Sequence, residues 1–478
     1  MSNDVKSGSN AKVIILAIAG ALGGFLFGFD SSVVNGAVDA IEGQFDLSAS
    51  LTGFAVASAL IGCAVGAYIA GRLADWKGRI PAMVVGAVLF FISALGAGFA
   101  FSVWDLVIWR LVGGLGIGIA SVIAPAYIAE ISPKNLRGRL GSLQQLAITL
   151  GIFAALLSDA LFANAAGTAS AEFWFGLEAW RWMFIAGVVP AVVYGLVALK
   201  LPESPRFLVL KNRDDEVRAI FKRLWPTDDV ERAIKDMRAG IEIDEQGSKK
   251  GALRGNRFGL KPIVWVGIIL SVFQQFVGIN VIFYYSTTLW KSVGFAESDS
   301  LTISVITSVT NIVVTFIAIA LVDRVGRKPI LLVGSVGMTV SLATMAIAFS
   351  QAVLVDGEPM LEGAWGPIAL VAANIFVVSF GASWGPVVWV LLGEIFPNRI
   401  RARALGIAAA AQWIANFVVT ISFPPLASVS LVLTYGLYAL FAGLSFLFVW
   451  RFIPETRGLS LEEAQTLFVE KKKPAVAK

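Results

Sequence analysis

The sequence of 478 residues has no histidine, one cysteine and few charges. Histidine is the side chain that titrates most easily near neutral pH, so any proton chemistry here must use carboxylates. The single cysteine, Cys63, excludes an intramolecular disulfide. Charged residues make up only 15% of the chain, against roughly 25% in soluble domains. This scarcity excludes a large soluble enzyme, and no nucleophile–base or metal-ligand constellation calls for a catalytic site, a metal or a cofactor.

Long apolar runs fill the sequence instead. The chain is 57% hydrophobic with a mean hydropathy of +0.77, and a bilayer-spanning helix needs about 20 apolar residues. The first run lacks a convincing cleavage site, which favours a first span over a signal peptide. The pattern predicts an all-α membrane protein of twelve transmembrane helices. The predicted spans, numbered 1 to 12, cover residues 13–36, 52–71, 81–100, 104–128, 140–163, 181–200, 262–290, 301–322, 329–350, 366–392, 403–424 and 431–452.

The basic residues predict the orientation of these spans. All but three of the 38 Lys and Arg lie in the two tails, in the long segment 200–261 or at the ends of the chain's even-numbered spans. The exceptions are Arg110, Arg181 and Lys291. Positive residues favour the cytoplasmic side, so both termini are predicted to be cytoplasmic and the protein to lie in the cell membrane. This bias explains the surplus of +5 charges, and anionic membrane lipid attracts basic residues at the membrane surface. The surplus therefore needs no nucleic-acid partner.

Three charged motifs occur twice, about 250 residues apart, which indicates an internal duplication. The copies are GRLADWKGR and LVDRVGRK, EISPKNLRGR and EIFPNRIRAR, and PESPR and PETRG. We therefore expect two six-span domains, 1–203 and 260–453, joined by a linker of amphipathic helices, 204–259, and followed by a tail, 454–478. A disordered linker is the alternative for 204–259.

The paired acids in these motifs need an explanation of their own, because Asp and Glu contribute little to orientation. We predict ion pairs between the two halves at their cytoplasmic ends, where they would gate the protein. The alternative is that these are loop charges that only enforce orientation. The predicted gating residues are Asp75, Arg79, Glu130, Arg137, Asp323, Arg327, Glu394 and Arg401.

Together with FQQFVGINVIFYYS in span 7, these motifs resemble the sugar porter family of the major facilitator superfamily, over nearly the whole chain. The resemblance implies two six-helix domains that bind a monosaccharide between them and carry it across the membrane by alternating access. The members of this family include bacterial sugar/proton symporters and facilitative glucose transporters. We expect a monomeric, proton-coupled symporter of a hexose such as glucose. A pentose or polyol substrate, an uncoupled facilitator and a non-transporting sugar sensor remain alternatives.

Buried amides and aromatic rings form the predicted sugar site. A sugar is neutral, and Gln and Asn both donate and accept hydrogen bonds without charge; the alternative is that isolated amides join helix to helix. Tyr284 and Tyr285 match the family's aromatic gate, Gly278 permits unwinding of span 7, and Gly381, Gly385 and Pro386 permit bending of span 10. Gln144 and Trp384 have a weaker claim to sugar contact. By resemblance, the sugar-binding residues are Gln145, Gln274, Gln275, Asn280, Asn311, Trp389, Gln412, Trp413 and Asn416.

Asp30 and Arg110 are ionisable residues well inside the N-terminal spans, where such groups are rare and functional by default. They fall at similar predicted depth and match the family's acid and arginine, so we predict a proton-coupling pair; a static structural pair is the alternative. Proton-coupled relatives of the xylose type carry a buried glutamate where Gly187 stands here, which leaves either the Asp30–Arg110 pair alone or weaker coupling. Asp159 is a more distant candidate for a proton-binding acid, and the resemblance does not support it.

Overall fold

The structure is a computed structural model that describes residues 2–132, 137–224, 230–247, 253, 259–355, 358–396 and 400–456. Within these residues, twelve helices are long and apolar enough to cross a membrane, which confirms the twelve predicted spans. They cover Lys12–Val33, Ala49–Lys77, Arg79–Gly98, Val103–Ile131, Leu143–Ala166, Ala179–Ala198, Pro262–Tyr284, Glu297–Ala318, Arg327–Phe349, Trp365–Leu392, Arg403–Val429 and Leu431–Phe452.

The first six spans contain eight helices, because two of the chain's long runs are interrupted. A turn at residues 34–37 separates span 1 from a short helix, and Gly187 divides span 6. A single 3-10 turn, Trp174–Gly176, precedes span 6. The helices are α1 (Ser2–Val33), α2 (Val38–Phe45), α3 (Ala49–Lys77), α4 (Arg79–Gly98), α5 (Val103–Ile131), α6 (Arg137–Ala166), α7 (Ala179–Ala186) and α8 (Val188–Ala198).

The structure describes three helices in the segment between the halves, which fits the predicted helical linker. Its helices are α9 (Pro205–Leu210), α10 (Asp214–Leu224) and α11 (Val230–Gly247). Phe207, Leu208, Val209, Val217 and Ile234 form a small core of their own. Charged residues cover the outside, as expected for amphipathic helices.

Among the last six spans, spans 7 and 10 are interrupted at or beside the predicted glycines. Gly278 has φ +83°, a left-handed conformation that glycine adopts without strain, and span 10 breaks between Gly381 and Trp384. A hairpin of β1 (Val353–Val355) and β2 (Glu358–Met360) precedes span 10. The helices are α12 (Pro262–Phe276), α13 (Ile279–Tyr284), α14 (Ser286–Lys291), α15 (Glu297–Val325), α16 (Arg327–Phe349), α17 (Trp365–Gly381), α18 (Trp384–Ile395), α19 (Arg401–Val429) and α20 (Leu431–Phe452).

The two ends of the bundle carry different residues. We call the end that holds Arg79, Glu130, Arg327 and Glu394 the termini face, because spans 1 and 7 start there and spans 6 and 12 end there. The opposite end, which holds the turn 34–37 and α14, is the far face. Spans 2 and 11, and spans 5 and 8, pack against each other across the boundary between the halves.

Glycine lets the spans approach until backbone meets backbone, as small residues do at membrane helix interfaces. A Cβ on Gly62 in span 2 would lie 2.2 Å from the carbonyl oxygen of Leu111 in span 4. A Cβ on Gly28 in span 1 would lie 2.0 Å from the carbonyl oxygen of Ile148 in span 5. Large apolar side chains such as Val333 and Val340 are turned outward and are 74% and 60% exposed. This arrangement suits a protein whose outer surface meets lipid.

Gly62 offers a test of this close packing, with Gly71 on the same helix as a matched control. Gly62→Ala should lower the thermal midpoint in detergent, since a backbone carbonyl cannot yield as a side chain can, at a cost of roughly 1–3 kcal/mol. Gly71→Ala meets nothing within 4 Å and should leave the midpoint unchanged or raise it slightly, because alanine is the better helix former. Equal midpoints for the two variants would contradict the described contact between spans 2 and 4.

Candidate functional site

Arg79 is the centre of a charged network on the termini face of the N-terminal half. Its Nε and Nη2 donate to the two carboxylate oxygens of Glu130, both at 2.9 Å, a bidentate geometry that gives strong charge-assisted hydrogen bonds. Glu203, from PESPR, accepts from the Arg79 backbone N–H at 2.9 Å, and Ser204 donates to Glu130. Asp75 also contacts Arg79 at 3.1 Å but is 62% exposed, so it adds little.

The C-terminal half repeats this network with the second copy of each motif. Arg327 Nη2 donates to Glu394 at 2.8 Å, and the carboxylate of Glu455 accepts from the backbone N–H of Arg327 at 3.0 Å. Thr456 takes the place of Ser204 and donates to Glu394 at 2.7 Å. The network joins the starts and ends of spans within one half.

These distances correct one prediction. The Arg79–Glu130 and Arg327–Glu394 pairs do not bridge the two halves, because each half carries a full copy of the motif set and satisfies its own charges. The side chains of Arg137, Asp323 and Arg401 lie outside the part of the chain that the structure describes. A gating role for the eight motif residues therefore stays a prediction.

Polar contacts between the halves lie on the far face instead, and the sequence analysis missed them. Lys291 Nζ in the C-terminal half contacts Asp39 Oδ2 at 2.7 Å and Glu297 Oε2 at 3.5 Å. Thr288 donates to Asp39 at 2.6 Å. Glu297 accepts from the backbone N–H of Ala169 at 2.7 Å, a second bridge to the N-terminal half. We call Asp39, Thr288, Lys291 and Glu297 the far-face latch.

The sequence held one signal for the latch: Lys291 is a basic residue that does not lie on the termini face. Arg110, Arg181 and Lys291 are the basic residues off the termini face, and each contacts an acid: Asp30, Glu178 and Asp39 respectively. Burial disfavours the charged ammonium of Lys291, but Asp39 and Glu297 outweigh burial and raise its pKa above the ordinary value. A raised pKa keeps the lysine charged below that value, so its side of the latch is lost only as pH rises through it, well above neutrality.

Asp30 and Arg110 meet in the interior of the N-terminal half, as predicted. Arg110 Nη1 lies 3.7 Å from Asp30 Oδ1, and the side chains are 4% and 9% exposed. The guanidinium also donates to the carbonyl oxygen of Val56 in span 2 at 3.1 Å, and its Nε has no hydrogen-bond partner among the described residues. Arg110 Nη1 also donates to the backbone carbonyl of Asp30 at 3.5 Å. Arg110 therefore holds span 2 by a hydrogen bond, and it holds span 1 by a long hydrogen bond to the backbone and by attraction to the Asp30 carboxylate.

The surroundings of this pair connect it to the second half. Asp30, Arg110, Phe27 and Cys63 line a small cavity together with Tyr284 of span 7. The Tyr284 side chain is buried and faces Ser31 and Asn416. Tyr284 therefore separates the ionised pair from the amides of span 11, consistent with its predicted position at a gate.

Gly187, where the family resemblance implied a glutamate in proton-coupled members, has the Phe184 carbonyl oxygen and two apolar side chains as neighbours. A Cβ there would lie 3.3 Å from the ring of Phe90 and 3.4 Å from Ala94. Both of these residues line a cavity that reaches Asp30 and Arg110. The space is occupied by apolar groups, and no second acid approaches the pair from this side among the described residues.

Gln274 and Gln275 are neighbours in sequence, and Gln275 Nε2 donates to Gln274 Oε1 at 3.4 Å, but their other partners differ. Gln274 Nε2 donates to the carbonyl oxygens of Trp384 and Gly385 at 2.9 and 3.2 Å, where span 10 is broken. Gln275 accepts from Asn280 across the break of span 7. Gln274 is therefore occupied with the backbone of span 10, whereas Gln275 and Asn280 form an amide pair beside the unwound Gly278.

Other predicted residues are found at the contacts between spans. The ring of Trp413 in span 11 packs edge-on against Phe27 in span 1, with centroids 5.4 Å apart, across the boundary between the halves. Asn311 Oδ1 lies against Gly381 at the break of span 10. Asn416 is 4% exposed and accepts from Thr420 at 3.1 Å. Tyr285 is fully buried and donates to the Thr420 carbonyl at 3.0 Å, so it packs within the C-terminal half.

Five of the predicted sugar-binding residues make no side-chain hydrogen bond within the described ranges: Gln145, Asn311, Trp389, Gln412 and Trp413. Gln412 Oε1 is buried and unpartnered there, and Trp389 is 42% exposed. Buried amide atoms without partners are costly, so they mark positions that another molecule can satisfy. Gln144 also has an unpartnered Oε1. Trp384, in contrast, is fully buried and donates to Ser335 at 2.9 Å and to the Leu331 carbonyl, which gives it a structural role.

Two six-span halves around a centre of amides and one buried ion pair define a transporter of the major facilitator class, not an enzyme. The family model for sugar (and other) transporters matches residues 16–468. The chain belongs to this family of sugar transporters.

Individual relatives agree with this assignment along almost the whole chain. A glucose transport protein of Synechocystis is 52% identical over 97% of this chain and 99% of its own length. The D-xylose-proton symporter of Escherichia coli K12 is 35% identical over 96% of both chains. A partially occluded, inward-open structure of the E. coli xylose transporter XylE matches with a TM-score of 0.81 at 34% identity, over 94% of this chain and 99% of that one.

The far-face latch can be tested by distance measurements. We expect Lys291→Met to shift the protein toward a form open at the far face by roughly two- to fivefold, since partly exposed ion pairs contribute about 0.2–1 kcal/mol. Spin labels at positions 101 and 429, which are exposed on the two halves at this face, report the distance once Cys63 is replaced by alanine. Lys200→Met, an exposed lysine outside the latch, is the control. An unchanged distance distribution in Lys291→Met would show that the latch contributes nothing to closure.

Proposed function

We propose that this chain is a proton-coupled symporter that moves a monosaccharide, with a hexose such as glucose as its substrate, across the cytoplasmic membrane. One observation carries the proposal: the Asp30–Arg110 pair and Tyr284 line the same cavity, and Tyr284 faces Asn416 of the predicted sugar site. The proton site and the sugar site thus share one side chain as a wall. Similarity to a glucose transport protein and to a xylose-proton symporter supports the sugar class and the coupling.

The sugar would bind between the halves, against amides that retain free hydrogen-bonding atoms. Gln275 and Asn280 supply both donors and acceptors beside the break of span 7, and Gln412 offers an unpartnered oxygen. Trp413 and Trp389 supply flat apolar faces for the C–H groups of the sugar ring. Asn311 and Asn416 come from spans 8 and 11, and Gln145 comes from the N-terminal half, so a bound sugar would connect both halves.

A proton on Asp30 would change the contact between spans 1 and 4. The ionised carboxylate attracts the guanidinium of Arg110, whereas the protonated acid does not. Arg110 would keep its hydrogen bond to the Val56 carbonyl in span 2 and its longer one to the Asp30 backbone carbonyl, so proton binding loosens the hold on span 1 and leaves spans 2 and 4 joined. Since Tyr284 lies between this pair and Asn416, a shift of span 1 reaches the sugar site. Proton occupancy can then bias the protein between two states.

The two halves, residues 1–203 and 260–453, would rock about this centre with the termini face in the cytoplasm. The excess of Lys and Arg at that face supports the orientation. The far face, held by the latch, would then be the closed outer side. The linker helices within 204–259 and the tail 454–478 would lie in the cytoplasm. We expect the protein to work as a monomer in contact with membrane lipid.

An uncoupled facilitator is the second candidate, and Gly187 favours it. The apolar neighbours of Gly187 leave Asp30 as the one acid beside Arg110 in the described structure. If one acid is too few for coupling, sugar would move only down its gradient.

Adjacent glutamines provide a matched test of the sugar site. Gln275→Ala should weaken sugar binding by roughly 1–3 kcal/mol, because buried sugar hydroxyls would lose a partner. Gln274→Ala should mainly lower thermal stability, since the Trp384 and Gly385 carbonyls would lose their donor. Calorimetric titration with glucose and xylose, beside thermal unfolding, separates the two effects. If Gln275→Ala and Gln145→Ala both bind sugar as the unaltered protein does, the site lies elsewhere.

Asp30→Asn tests the coupling. It keeps the shape and removes the charge, as a permanent proton would. We expect loss of sugar accumulation driven by a pH gradient in proteoliposomes, with sugar binding and sugar-for-sugar exchange retained, because exchange needs only the loaded carrier to reorient. Asp46→Asn, at an exposed acid, is the control.

Arg110→Ala should damage coupling more severely, because it leaves the buried Asp30 without its partner. A purely structural pair predicts that both variants express poorly and lose binding together with transport. If uptake by the unaltered protein is indifferent to the pH gradient, and sugar addition causes no external alkalinisation, the facilitator replaces the symporter.

A further inference from the structure

Asp159 is a buried carboxyl that the proposed function leaves unused. It lies in span 5 and is fully buried. Oδ2 accepts from the backbone N–H of Gly36 at 3.1 Å, and Oδ1 has no hydrogen-bond partner among the described residues. The contact is built into the fold: a Cβ on Gly36 would lie 2.6 Å from the Cβ of Asp159. One carboxylate oxygen without a donor is an expensive group to bury.

The helices that pack against span 5 do not supply a counter-charge. These are spans 1, 4, 6 and 8. Three charged residues on these spans pair with other residues: Asp30 with Arg110, Arg181 with Glu178, and Glu297 with Lys291. The other charged residues with described side chains lie toward helix ends; they are Lys12, Asp105, Glu130, Asp299 and Arg324. An ionised carboxylate with one donor and no cation is unfavourable here, whereas the protonated acid is neutral.

The backbone that Asp159 holds belongs to the closed far face. Gly36 lies in the turn 34–37, where span 1 is broken. Its neighbour Asn35 accepts from the backbone N–H of Thr287 in the other half at 2.9 Å. Three residues beyond Gly36, Asp39 belongs to the latch. Opening of the far face must pull this turn away from α14, and the surroundings of Asp159 change with it.

We propose that Asp159 is a second proton-binding carboxyl, which carries a proton while the far face is closed and releases it to water when that face opens. The inference rests on the proposed alternating access but not on coupling through Asp30. In the closed form, the acid keeps Oδ2 as the acceptor for Gly36 and carries its proton on Oδ1. On opening, the O–H bond breaks, the proton passes to water, and the hydrated carboxylate remains. Low pH at the far side therefore favours closure.

The test measures closure against pH without sugar or a gradient. Spin labels at positions 101 and 429 in a Cys63→Ala background report the open-to-closed ratio. Asp30→Asn is added to remove the other titrating acid. We expect that ratio to rise from about pH 5 to about pH 8, by at most tenfold per pH unit for one proton. Adding Asp159→Asn should abolish the rise and leave the protein closed, while Asp46→Asn should leave the rise intact.

Asparagine keeps the acceptor for Gly36, so the variant should fold. A second readout is the infrared band of a protonated carboxyl in the closed form, which should be present in Asp30→Asn and lost when Asp159→Asn is added. Identical pH responses with and without Asp159→Asn, a flat response in Asp30→Asn, or an unchanged infrared band would each overturn the proposal. If gradient-driven uptake fails but this pH response persists, the proposed coupling falls and the inference about Asp159 stands.

Discussion

The architecture depends on one constraint: a span that is broken inside a membrane must find partners for the backbone groups that the break exposes. Span 1 breaks at residues 34–37, and the Gly36 N–H finds the carboxyl of Asp159. Span 10 breaks before Trp384, and Gln274 donates to the carbonyls of Trp384 and Gly385 in the first turn after the break. Span 7 breaks at Gly278, whose N–H returns to the Gln275 carbonyl at 2.9 Å. A carboxyl side chain therefore lies at the break of span 1 and an amide side chain at the break of span 10, whereas the backbone closes the break of span 7. The polar centre of the protein is built around these positions.

Charge is distributed differently at the two faces. On the termini face, Arg79 and Arg327 are each bound within their own half, so these networks make each half stiff and do not join the halves. On the far face, Lys291 pairs with Asp39 of the other half, and Glu297 bonds the backbone of that half. The described conformation follows from this difference, since the charge contacts that cross the boundary within the described residues are at the far face. Rocking of two stiff halves would break the latch and leave both internal networks intact.

Local chemistry made much of this fold predictable from sequence. The lengths of the apolar runs predicted the twelve spans, and the positions of glycine and proline predicted the breaks in spans 7 and 10. Repetition gave the two halves, and the rarity of buried charge gave the Asp30–Arg110 contact. Partners that are distant in sequence were not predictable: Glu203 and Glu455 hold the starts of spans 3 and 9 through backbone N–H groups, which no side-chain pattern reports. The latch was missed for the same reason, because its one sequence signal was a lysine on the unexpected side.

The candidate site shows the same limit in the pair Gln274 and Gln275. Consecutive residues on a helix point about 100° apart, so two adjacent glutamines in one motif reach different neighbours even though their own amides touch at 3.4 Å. Here one glutamine meets the broken backbone of span 10 and the other meets Asn280. The sequence predicts that both bind the sugar, and the structure shows that Gln274 also bonds the backbone of span 10. The side chain that holds a break cannot also release its bond to a substrate without exposing the backbone again. Under the proposed function, sugar contact would therefore fall to the amides that do not hold the backbone of another span: Gln275 and Asn280 on span 7, Gln412 on span 11 and Gln145 on span 5.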